Sequence, residues 1–106
     1  MLEATMTKTG RRHTLTLRGH ALYNPGCDIV CAAASALVCA LAQYLLHARE
    51  HVEAVEGLRL ESGRADVACV GDAFVSCAFE MAAQGLSQLA KAYPLHVTFF
   101  REDDAP

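Results

Sequence analysis

Along His13–Arg18 the chain alternates, with Thr14, Thr16 and Arg18 on one side and Leu15 and Leu17 on the other. That is the period of a half-buried strand. The preceding segment, Leu2–Thr9, is mixed and rich in Thr and Leu, and Gly10 with Arg11 and Arg12 interrupts it. The two segments are expected to be strands joined by a tight turn at Gly10, the second ending at Gly19-His20. Asn24-Pro25-Gly26 is a strong turn signal. Asp28 then stands where a helix N-cap belongs, since its carboxylate can accept bonds from the first free backbone N–H groups. From Ile29 to about Arg49 there is no Gly or Pro, and Val30, Ala34, Leu37, Leu41 and Leu45 recur at three- and four-residue steps. This predicts a long, mostly buried helix.

His51–Leu60 and Arg64–Val70 read as two strands of a hairpin about Ser62-Gly63. Gly71-Asp72 opens a second helix with Asp72 as its cap. Val75, Phe79, Ala82, Leu86, Leu89 and Tyr93 share one face of it, and Pro94 ends it. Gly85 inside that helix costs about 1 kcal/mol relative to Ala, which points to a close packing contact there. Leu95–Phe100 alternates as a last strand, and Arg101–Pro106 is expected to be a polar tail. The predicted order is β-β-α-β-β-α-β, an α+β fold in which two helices cover one face of a five-stranded mixed sheet. Residues 1–106 form one domain, with no repeat or linker.

Composition narrows the function more than the fold. The net charge of −3 removes any general attraction for nucleic acid. Ile29–Leu46 is the most apolar stretch, but its Ala, Cys, Ser and Gln make it weaker than a membrane span of about 20 strongly apolar residues. A cytosolic protein without membrane contact is expected. Five cysteines, an odd number with no export signal, argue against a disulfide framework. They leave core packing, metal binding or thiol chemistry. Cys39, Cys69 and Cys77 are read as packing residues. His47 and His51 are expected to favour the negative end of the first helix. Glu53, Glu56 and Glu61 should be solvated, and of Phe99 and Phe100 one should be core and the other surface.

Cys31 is the candidate for chemistry. With Asp28 as cap it is the third residue of the helix, beside unpaired N–H groups and the positive end of the macrodipole, where a thiolate is favoured. His20, at the end of a strand, can meet it across the intervening turn and take its proton. Free N–H groups at the helix start could receive an oxyanion. The plainer reading is a buried core thiol. A third reading is a small zinc-binding protein, with His20, Cys27 and Cys31 as donors and His13 as a fourth, although the Cys27–Cys31 spacing is not a CxxC.

Gly19-His20-Ala21, Gly26, Asp28-Ile29-Val30-Cys31-Ala32-Ala33 and Ser35-Ala36-Leu37 together resemble the signature of the Prp family, the bacterial ribosomal-processing cysteine proteases. Gly85-Leu86, Leu89-Ala90 and Tyr93-Pro94 resemble the family's C-terminal part. The resemblance implies a cysteine endopeptidase with Cys31 as nucleophile and His20 as general base. Asp28 would cap the helix, orient the histidine, or both, and Ser35 would line the pocket. The loop of Gly19, Ala21, Asn24, Pro25, Gly26 and Cys27 would meet the substrate. That substrate would be a large-subunit ribosomal protein precursor, whose N-terminal extension is cut after a pair of phenylalanines. Family members are cytosolic homodimers that use no metal or other cofactor. Here the loop is shorter than the family's, and Pro25 stiffens it. A noncatalytic dimeric peptide-binding module of the same fold is therefore the alternative. Cys27 is either a bystander at the pocket rim or a partner for Cys31 in a reversible disulfide.

Overall fold

The computed structural model of the chain describes residues 1–103. Its elements are β1 (Leu2–Thr9), β2 (Arg12–Arg18), α1 (Ile29–His47), β3 (Val52–Glu61), β4 (Arg64–Gly71), α2 (Ala73–Ala92) and β5 (Val97–Asp103). The order and α+β architecture are those expected from the sequence. The strands form one mixed sheet, β3-β4-β2-β1-β5, in which β5 runs parallel to β1 and the other pairs are antiparallel.

Each helix starts at an aspartate whose carboxylate takes two first-turn N–H groups: Asp28 for α1 and Asp72 for α2. Both helices lie on the same side of the sheet. Leu15, Leu17, Val67 and Cys69 from the strands meet Val30, Ala34, Val38, Leu41, Val75, Phe79 and Leu86 in a single core. Gly85 is the close approach its position implied: a Cβ there would stand 2.7 Å from both terminal methyls of Leu37 on α1. By length and composition α1 could cross a bilayer, yet its buried stripe packs into this core.

Three expectations need correction. Cys39 and Cys77 are exposed, not core; of the three cysteines read as packing residues, Cys69 is buried. His51 does not serve the end of α1, as His47 does by donating to the Gln43 carbonyl at 2.8 Å. It bonds Asp72 at 2.7 Å and stacks on Phe74. The last strand does not stop at Phe100. Arg101, Glu102 and Asp103 stay in register with β1, and the Arg101 guanidinium grips Glu80 on α2. Residues 104–106 of the expected tail lie outside the described residues.

The Arg101 bond, with a second from Gln84, holds the Glu80 carboxyl at about 2, below its ordinary 4.5. A depressed carboxyl stabilises the fold above its unfolded pKa and loses that contribution as pH falls from about 4.5 to about 2. Glu80→Gln should therefore destabilise the protein at pH 7 by about 1 kcal/mol, solvent screening included. In urea titrations the deficit should disappear near pH 2.

Candidate active site

The site begins where β2 ends. Gly19 has φ +86, and a Cβ there would lie 2.5 Å from the Met1 carbonyl oxygen, so backbone conformation and space both require glycine. Its N–H donates to the Gly63 carbonyl at 2.9 Å, which ties the strand end to the β3–β4 turn. His20 follows, and its ring lies against that turn. A Cβ on Gly63, itself at φ +75, would be 2.9 Å from His20 Nε2. Thus His20 is seated by a glycine more than forty residues away in the chain.

The chain then turns through Leu22, which adopts a left-handed φ of 57, and closes at Asn24–Cys27, where the Cys27 N–H donates to the Asn24 carbonyl at 3.0 Å. Asp28 fastens this loop to the helix. One carboxylate oxygen accepts from the Val30 and Cys31 N–H groups, both at 3.0 Å, and the other from Tyr23 at 2.9 Å and Asn24 at 3.3 Å. Burial pushes this carboxyl up, but the bonds from Cys31, Asn24, Tyr23 and Val30 outweigh it and hold the group below the usual carboxylate range. These bonds all go to backbone, so Asp28 acts as cap and loop clasp. Two of the first-turn amides expected to be free for an oxyanion, those of Val30 and Cys31, are taken by the Asp28 side chain, and Ala32 makes the ordinary helical bond to the Asp28 carbonyl. Asp28→Ala should cost about 1–2 kcal/mol in denaturant titrations. It should also raise proteolytic nicking between residues 22 and 28.

Cys31 is half-buried on the first turn of α1 and receives the Ala21 N–H on its sulfur at 3.2 Å. Cys31 and His20 open onto the same cavity, of about 180 Å³. Of the residues singled out from the sequence, Gly19, His20, Cys31 and Ser35 line it; Ala21, Asn24, Pro25, Gly26, Cys27 and Asp28 do not. Ala21 lies just behind the sulfur, buried, and Cys27 is an exposed free thiol. The lining also includes residues the sequence had not marked as part of the site, among them Val38 and Cys39 from α1 and Leu60, Glu61, Gly63 and Arg64 from the β3–β4 hairpin. Cys39 carried a signal, since it lies two turns beyond Cys31 on the same flank of the helix.

The zinc set is not assembled. His13 sits near the start of β2, roughly 20 Å along the strand direction from His20, and is stacked on Phe79 at 5.2 Å. Burial, with Lys8 nearby, pushes its pKa down, and neither ring nitrogen makes a hydrogen bond of normal geometry. Among the described residues no three potential metal ligands converge.

The family model for cysteine protease Prp matches residues 1–98. The chain belongs to the Prp family of cysteine proteases. Prp from S. aureus, solved with a covalently linked product peptide, has the same fold at a TM-score of 0.79 and 17% identity, covering 95% of this chain and 99% of that one. The same S. aureus protease with a substrate peptide superposes at 0.69 and 14% identity, with the same coverages. A Streptococcus mutans protein is 26% identical with a TM-score of 0.74, covering 98% of this chain and 96% of its own. No curated protein matches the sequence. Membership makes the chain a cysteine protease, that is, a thiol hydrolase.

Proposed function

We propose that the protein is an endopeptidase that removes the N-terminal extension of a large-subunit ribosomal protein, with Cys31 as nucleophile and His20 as general base. The observation that carries this reading is the shared cavity: His20, fixed by Gly63, and Cys31, at the head of α1, open onto one space large enough for a side chain. His20 takes the thiol proton and the sulfur attacks the scissile carbonyl. The imidazolium returns the proton to the departing amine, leaving a thioester that water hydrolyses. The capped amides of α1 are not available to the developing oxyanion. The Ala21 N–H is the backbone donor next to the reacting sulfur.

Leu60, Val38, Ala34, Leu17 and Leu2 give the cavity an apolar wall. That suits the apolar cleavage sequence implied by the family, and the S. aureus relative is a ribosomal-processing protease solved with bound peptide. We assign the reaction to the cytosol and the active form to a homodimer. The surface we assign to the second copy is the apolar groove between α1 and α2, where Phe74 is 61% and Met81 72% exposed. Light scattering on wild type and Met81→Glu tests it, with a dimer expected for the first and a monomer for the second.

The deciding experiment incubates the protein with the precursor ribosomal protein under reducing conditions and follows the precursor's mass. Loss of an N-terminal fragment supports the reading. A stable complex with uncut precursor would instead identify a noncatalytic binding module.

A further inference from the structure

We infer that His96 is a positioning residue of the catalytic loop, holding Ala21 so that its N–H stays on the Cys31 sulfur. His96 Nδ1 lies 2.8 Å from the Ala21 carbonyl oxygen. A carbonyl can only accept, so Nδ1 carries the hydrogen. Ala21 is thus gripped on both sides: its N–H by Cys31 Sγ at 3.2 Å and its C=O by His96. At 1% exposure it has no water to replace either bond.

The anchor is itself rigid. The His96 N–H donates to the Tyr93 carbonyl at the end of α2, and its carbonyl accepts from the Leu2 N–H at the start of β1, both at 2.9 Å. The imidazole meets the edge of Tyr23, centroids 5.4 Å apart, and Tyr23 meets Tyr93 at 5.2 Å. The held segment, by contrast, needs holding. Leu22 follows in a left-handed conformation that costs a non-glycine residue about 1–2 kcal/mol. Without the His96 bond the strain at Leu22 relaxes by a shift of the Ala21 backbone as a whole, which draws the Ala21 N–H off the sulfur. The His96 side chain does not line the cavity; its backbone bond from Leu2, which does, is kept in any side-chain variant, so the imidazole acts through Ala21.

The inference rests on Cys31 being the nucleophile, and the test separates the two. The variants are His96→Leu, which removes the donor, and His96→Asn, whose side-chain N–H sits the same number of bonds from Cα as Nδ1. Iodoacetamide labelling of Cys31 at pH 7, resolved by tandem mass spectrometry with Cys77, in the groove assigned to the second copy, as the reference for an unchanged dimer, is measured beside kcat and KM on the precursor. His96→Leu should lower Cys31 labelling and kcat each by about fivefold to tenfold, as loss of one hydrogen bond implies. KM and Cys77 labelling should stay within about twofold, and His96→Asn should recover most of both losses. If His96→Leu labels and cleaves like wild type, or if His96→Asn fails as badly as leucine, the positioning role is wrong. If Cys31→Ala still cleaves, the nucleophile assignment fails instead.

Discussion

Cys31→Ala should lower cleavage of the N-terminally extended precursor by at least about 10³-fold, because no neighbouring group can form the thioester in its place. His20→Ala should cost about 10²- to 10⁴-fold, the range for a positioned general base. The double variant should be no slower than Cys31→Ala alone, since the two side chains act as one unit and their losses do not multiply. Neither substitution should unfold the protein: His20 is exposed and Cys31 only half-buried at the cavity wall. Single-turnover mass spectrometry reads all three. His20→Ala within tenfold of wild type would remove the histidine from the mechanism while leaving the cysteine in place.

Gly19→Ala should be the most damaging change that alters no chemical group. The substitution forces a Cβ onto a left-handed backbone and drives it to 2.5 Å from the Met1 carbonyl oxygen, so the start of β1 or the end of β2 must shift. Gly26 provides the control. Its φ is +93, yet nothing lies within 4 Å of its Cβ position. Gly26→Ala should cost about 1–2 kcal/mol from conformation alone. Gly19→Ala should cost more than that in urea titrations, and its residual folded fraction should cleave poorly, because His20 moves with Gly19. Equal stability losses in the two variants would mean that the Met1 contact yields freely.

Much of this fold is written in local signals. The alternation of Leu15 and Leu17, the Ser62-Gly63 turn and the caps Asp28 and Asp72 each act within a few residues, so their elements appear where the pattern puts them. The misplaced residues depend on what packs over them. Cys39 and Cys77 lie off the stripes of buried positions on α1 and α2, on flanks that face a cavity and a surface groove. β5 continues to Asp103 because Arg101 finds Glu80 across the fold, a pairing no local pattern announces. At the site, the Gly-His and Asp-Ile-Val-Cys pieces were readable as motifs, whereas the Gly63 seat for His20 and the His96 hold on Ala21 are tertiary. The amides of α1 were a different matter. An aspartate cap consumes the same N–H groups that an oxyanion would need, so the cap already implied that they were spoken for.

On β3 the side chains of Val55, Leu58 and Leu60 point to the helix side, opposite Cys69, Val67 and Ala65. Those partners are core, while the three β3 residues are 43%, 37% and 46% exposed, because α1 touches that edge only sparsely. Leu60 lines the cavity beside Cys31. The part of the cavity wall that β3 supplies is therefore outside the core, unlike the part supplied by Leu2, Leu17, Ala34 and Val38. A lineage carrying this chain is free to retune which peptide it accepts by substitution along β3, generation by generation, without first surviving an unstable intermediate.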